Sequence, residues 1–134
     1  MTTYSYEEAL QASVAYFEGD ELAGKVVVDK YLLRNSNNEL IEKTPDDMHR
    51  RIAKEFARIE AGKFKKPLSE DEIFSYLQGF KKIIPQGSPM FGIGNIEQFI
   101  TLSNCYVLDP PEDSYTGIHW TDEQISHISK RRGG

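Results

Sequence analysis

The chain has 134 residues, of which 28% are charged and 39% hydrophobic, and a formal net charge of -5. That size fits one domain or a piece of a larger one, and the acidic balance argues against a general nucleic-acid or membrane-surface binder. One cysteine excludes an internal disulfide framework and a cysteine-rich zinc site, and fits a reduced, cytoplasmic chain. No apolar run is long enough to span a bilayer, and the opening "MTTYSYEEAL" has neither a basic head nor an apolar signal core.

In chain order, "SYEEALQASVAYF" (residues 5–17) predicts a first helix. Ser5 is its cap, Glu8 stands at the capping-box position, Leu10, Val14 and Phe17 form its apolar side, and Gly19 ends it. The run "KVVVDKYLLR" is rich in β-branched residues and precedes the turn-forming "NSNNEL", so it reads as extended or irregular structure. Thr44 then opens the best-marked helix, with Pro45 at its first position and Asp46 and Asp47 at the positive end of the dipole. Met48, Ile52, Phe56 and Ile59 form its apolar stripe and Gly62 its stop.

A third helix is predicted from Ser69, where Glu72 completes a second capping box and Ile73, Phe74, Leu77 and Phe80 face inward. A last one is predicted from Thr121, with Gln124 at the box position, toward Lys130. Between them lies a loop rich in Gly, Pro, Ser and Asn that leads into the apolar "FITLSNCYVL", read as a strand.

Spacing alone identifies little chemistry. "GIGN" at residues 92–95 lacks the third glycine and the preceding strand of a dinucleotide loop, and reads as two glycines in a bend. His49, His119 and His127 have no ligand spacing, so no metal site is expected, and each reads as solvated or locally hydrogen-bonded. The basic "KRRGG" reads as a helix end serving its dipole, and Asp113 and Ser114 as an ordinary helix start. Cys105 taken alone reads as a small buried hydrophobe.

Taken together, four segments resemble a known family. "EKTPDDMHRRIAKEFA", "IIPQGSPMFGIGN", "LSNCYVLDPPEDSYTGI" and "ISKRRGG", in this order, look like the N-terminal part of the ribonucleotide reductase catalytic chain. The likeness runs from about Tyr16 to the last residue. The subtype most resembled is the short, adenosylcobalamin-dependent one, without the nucleotide-binding cone of many metal-dependent relatives.

The resemblance implies an α/β fold. A helical region over residues 1–84 would lead, over 85–134, into the first strand and following helix of a ten-stranded α/β barrel, completed by another chain or a missing C-terminal part. It implies that Cys105 is one of two redox cysteines, the second on a later strand, whose electrons replace the ribose 2′-hydroxyl by hydrogen. Ser88 falls where the family has a small hydroxyl residue beside the substrate ribose, and Asn104 where the backbone lines the substrate. Asp113, Ser114 and Tyr115 match the segment that helps hold the deoxynucleotide effector. Asn104 departs from the Ser or Ala that the family often carries there.

The same resemblance implies adenosylcobalamin, or alternatively a metal-based radical subunit, bound outside this segment. It implies as partners a complementary C-terminal reductase chain, a ribonucleoside diphosphate substrate, a deoxynucleotide effector, a thioredoxin-like reductant and a homodimeric assembly. With no second cysteine the chain is not expected to act alone. A gene that is split or interrupted by an intein is the expected origin, in preference to a truncation. A small helical binding or regulatory protein with a buried structural cysteine is the competing reading.

Overall fold

The computed structural model describes residues 2–134, and its helices begin at the residues chemically suited to start them. Ser5 caps α1 (Tyr6–Tyr16): its Oγ accepts from the Glu8 N–H while the Glu8 carboxylate accepts from the Ser5 N–H at 2.8 Å. Ser69 and Glu72 repeat this reciprocal arrangement at α4 (Glu70–Leu77). At α3 (Pro45–Lys63), Pro45 takes the first position, and the Asp47 carboxylate accepts from the backbone N–H groups of Lys43 and Thr44, each at 2.9 Å. All three starts lie where the capping signals put them.

The β-rich "KVVVDK" is helical, contrary to expectation, and belongs to α2 (Glu21–Lys30), which Asp20 caps. The reason is tertiary. α1 and α2 form a helical hairpin whose turn uses left-handed backbone at Glu18 and Gly19. Gly24 lets them approach so closely that a Cβ there would lie 2.6 Å from Val14 Cγ2. Val27 and Val28 gain burial in this arrangement, which outweighs their weak preference against helix. Extended backbone is confined to the following residues, where Asn35 organises the turn before Leu40 and isolated bridges join Leu40 to Tyr4 and Arg34.

One core unites these elements. Ala9, Val27, Val28, Leu32, Leu40, Met48, Ile52, Ala53, Ile73, Phe74 and Leu77 form a contiguous buried cluster. On α3 the predicted stripe fades toward its C-terminal half, for Phe56 is exposed and Ile59 half-buried. Nor does Gly62 stop α3, which runs on to Lys63. On α1, Ala9 and Ser13 are buried while Leu10, Val14 and Phe17 are half-buried.

Two helices differ from the sequence expectation at their starts. The loop after residue 84 holds a six-residue helix, α5 (Gly87–Gly92). The last helix, α6 (Tyr115–Lys130), starts at its cap Ser114, as the reading of Asp113 and Ser114 as a helix start has it, and not at Thr121, because the Ser114 Oγ accepts from the Gly117 N–H at 3.0 Å. Of the two glycines read as a bend in "GIGN", Gly92 closes α5, while Gly94 sits in left-handed backbone and Asn95 organises the bend after it.

The predicted strand over 99–108 is not formed, and the described residues contain no multi-residue strand. A strand needs a neighbour, and here the C-terminal residues offer little of one: the Thr101 N–H donates to the Arg131 carbonyl at 3.1 Å, and Gly134 supplies the remaining pairing. The Gly134 N–H donates to the Asn104 carbonyl at 2.9 Å, and the Tyr106 N–H donates to the Gly134 carbonyl at 2.8 Å. That pair of bonds is the unit of a parallel ladder with Cys105 opposite Gly134. The apolar side chains of the segment are largely uncovered: Val107 is 99% exposed, and Leu102 and Tyr106 are also exposed.

His49 is a further correction, since it is buried rather than solvated. Its ring meets Phe80 edge-on, and neither nitrogen is hydrogen-bonded, although Nδ1 stands 3.5 Å from Asp46 Oδ1. His119 and His127 are exposed, as expected. Burial lowers the His49 pKa, partly offset by the nearby Asp46 carboxylate. Below about pH 6.5 the unfolded chain therefore takes up a proton that the folded one resists, and stability falls with acidification by up to about 1.4 kcal/mol per pH unit. Urea unfolding at about pH 7.5 and 5.5 measures this. His49→Phe should flatten the dependence, and equal slopes in both proteins would assign the acid loss to other groups.

Candidate functional site

The C-terminal end of α6 meets α5 and the 104–106 segment, and the residues assigned to substrate and redox chemistry gather there. α6 closes with two bonds, from the Arg132 N–H to the Ser129 carbonyl and from the Gly133 N–H to the Ile128 carbonyl, each at 3.0 Å. This motif puts Arg132 in left-handed backbone at φ 65°, a position where glycine is the usual occupant. The side chain explains the exception. Its guanidinium stacks 3.7 Å from the Phe91 ring centroid and donates from Nη2 to the Lys30 carbonyl at 3.0 Å. Partial burial lowers its pKa, with the nearby Tyr31 phenol acting the other way.

Ser88 lies in the first turn of α5 and is buried. Its backbone N–H donates to Asn104 Oδ1 at 2.8 Å, while Asn104 Nδ2 donates to Gln86 Oε1. The Ser88 hydroxyl has only a long contact, 3.5 Å, to the Arg132 carbonyl, so it is free to engage another partner. Next to Asn104, Cys105 is exposed. The small buried hydrophobe expected from residue type alone is therefore not found, and the competing reading loses its structural cysteine.

Asn104 thus links three pieces: its side chain holds the start of α5, its carbonyl holds Gly134, and its neighbour carries the thiol. Sequence reasoning placed Ser88, Asn104 and Cys105 through the family likeness alone. It missed Gln86, Arg132 and the backbone role of Gly134; the two glycines after Arg132 signal a helix end, but the left-handed residue is Arg132 itself.

Asp113, Ser114 and Tyr115 do not join this cluster. They stand at the other end of α6, whose 16 residues span about 24 Å. Ser114 is committed to capping, while the neighbouring Tyr115 ring is 86% exposed. Among the described residues no group of three or more His, Cys, Asp or Glu side chains is placed to hold a metal ion. No helix among them is long and apolar enough to cross a membrane.

Comparison with known families bears on the helical region. The family model described as "Ribonucleotide reductase, all-alpha domain" matches residues 17–104, from the end of α1 to the residue before Cys105. The chain belongs to this family, as an N-terminal segment of the ribonucleotide reductase large subunit. No curated protein and no solved structure matches it. The helical architecture over the matched residues agrees with an all-alpha domain.

Proposed function

We propose that this chain supplies the N-terminal helical region, one redox cysteine and part of the substrate site of a ribonucleoside-diphosphate reductase, whose barrel is completed by further polypeptide. Family membership sets the oxidoreductase context. The observation that carries the finer reading is the environment of Cys105. It is exposed, it stands opposite Gly134 in a parallel-ladder unit, and the Asn104 beside it is tied to Ser88.

In this reading Cys105 and a cysteine of the completing polypeptide each give up one electron and one proton. The ribose 2′-hydroxyl leaves as water, hydrogen takes its place, and the two sulfurs end as a disulfide that an external thioredoxin-like dithiol reduces. The Ser88 hydroxyl hydrogen-bonds the sugar, and the 104–106 backbone fixes the approach of the thiol. Asp113, Ser114 and Tyr115 lie on the effector side, at the far end of α6. Adenosylcobalamin, or alternatively a metal-radical subunit, supplies the initiating radical on the remainder of the barrel, and no residue of this chain is assigned to it. Homodimeric assembly and a cytoplasmic setting complete the reading.

The incomplete sheet makes a direct test. Residues 98–108 carry exposed apolar side chains and are paired through the backbone only with Arg131 and Gly134, so their amides are expected to exchange rapidly in the isolated chain. Adding the polypeptide that completes the barrel should slow that exchange, produce co-elution and permit ribonucleotide reduction. Equal exchange in both states, or full activity of the larger polypeptide without this chain, would refute the reading.

A further inference from the structure

We infer that the buried Arg51–Glu42 ion pair positions the ribose-facing helix α5, and through it the Ser88 hydroxyl; this rests on the reductase reading above. A six-residue helix has little stability of its own and ends with unsatisfied carbonyls. Arg51, on the well-packed α3, answers both needs. Its Nη1 donates to the carbonyls of Phe91, at 3.3 Å, and Ile93, and its Nη2 donates to that of Met90 at 3.0 Å.

Glu42 fixes the guanidinium in turn. Its Oε1 accepts from Arg51 Nε at 2.7 Å, and its Oε2 accepts from the Leu33 N–H at 2.8 Å, just after α2. The two side chains are only 10% and 8% exposed, so their charges depend on each other and on these backbone partners. Gly94 completes the fit, since a Cβ there would come within 2.9 Å of Arg51 Cγ.

The consequence reaches the site through α5. Its C-terminal end is held by Arg51, and its N-terminal end carries Ser88, whose N–H is held by Asn104 beside Cys105. The core region around α2 and α3 thereby sets where the Ser88 hydroxyl stands relative to the thiol segment. Arg51 and Glu42 touch neither sugar nor sulfur; they are positioning residues. A planar guanidinium is required because an ammonium is a point charge and cannot span several carbonyls and a carboxylate in one fixed geometry.

The test uses Arg51→Lys, which keeps the charge, and Arg51→Met paired with Glu42→Gln, which removes both charges together. In the assembled reductase both variants should raise KM for the ribonucleotide by about tenfold, the scale of one lost hydrogen bond, with a smaller change in kcat. In the isolated chain the amides of Ser88 and of residues 90–93 should exchange faster, while those buried in α1 and α2 keep their protection. Unchanged KM, or exchange that accelerates uniformly through the chain in both variants, would overturn the inference. If the assembled wild-type protein shows no reductase activity, the reading under Proposed function fails instead; the exchange pattern then still decides whether Arg51 holds α5.

Discussion

Replacing Cys105 by serine should abolish ribonucleotide reduction by the completed barrel while leaving its assembly unchanged. The substitution exchanges sulfur for oxygen at an exposed position, so neither packing nor a hydrogen bond holding the fold is at stake. A hydroxyl cannot form the disulfide that accounts for the two electrons given to the sugar, and turnover with a dithiol reductant should fall to background. The paired readouts are co-elution with the completing polypeptide and deoxynucleotide formation. Retained turnover would remove Cys105 from the redox couple, and loss of co-elution would show that the change acts on assembly.

Truncating Ile52 to alanine carries the second large effect, on stability rather than chemistry. Ile52 is fully buried at the centre of the cluster formed by α1, α2, α3 and α4. Removing its branched side chain loses burial and leaves a cavity, at a cost of about 2–5 kcal/mol. Thermal unfolding should shift downward by roughly 10 °C or more for a domain of this size. The analogous change at Phe56, on the same α3 but exposed, should cost far less. Similar losses at the two positions would contradict the core assigned here.

What the sequence made legible was local chemistry. Ser5 with Glu8, Ser69 with Glu72, and Thr44 followed by Pro45 each mark a helix start by hydrogen bonds that reach only a few residues along the chain. The features not legible depend on distant partners. α2 forms because Gly24 admits Val14, a relation that no window around "KVVVDK" contains. His49 reads as solvated or locally hydrogen-bonded, and is instead buried against Phe80, a residue far along the chain. Ser114 was legible as a helix start, but Thr121 and Gln124, at capping-box spacing inside α6, read as a second one.

The site was legible in a different way. Spacing assigns no chemistry to Ser88, Asn104 or Cys105, and only the order of four segments resembling one family does. Family membership supports the reductase context. The structure adds the physical links: the Asn104 side chain to Ser88, and the Asn104 and Tyr106 backbone to Gly134. It also replaces the expected strand by a single ladder unit, because a β-segment is completed by its neighbours and not by its own residues. Arg51 and Glu42 lie 9 positions apart and serve carbonyls about 40 positions further on, so neither could be connected to α5 from sequence.

The most direct measurement is to run the completed reductase through one turnover without external reductant, quench any free thiols, and map disulfides by mass spectrometry. A bond between Cys105 and a cysteine of the remaining barrel, formed in proportion to deoxynucleotide, is the predicted result. Product formed while Cys105 stays a free thiol would contradict the account.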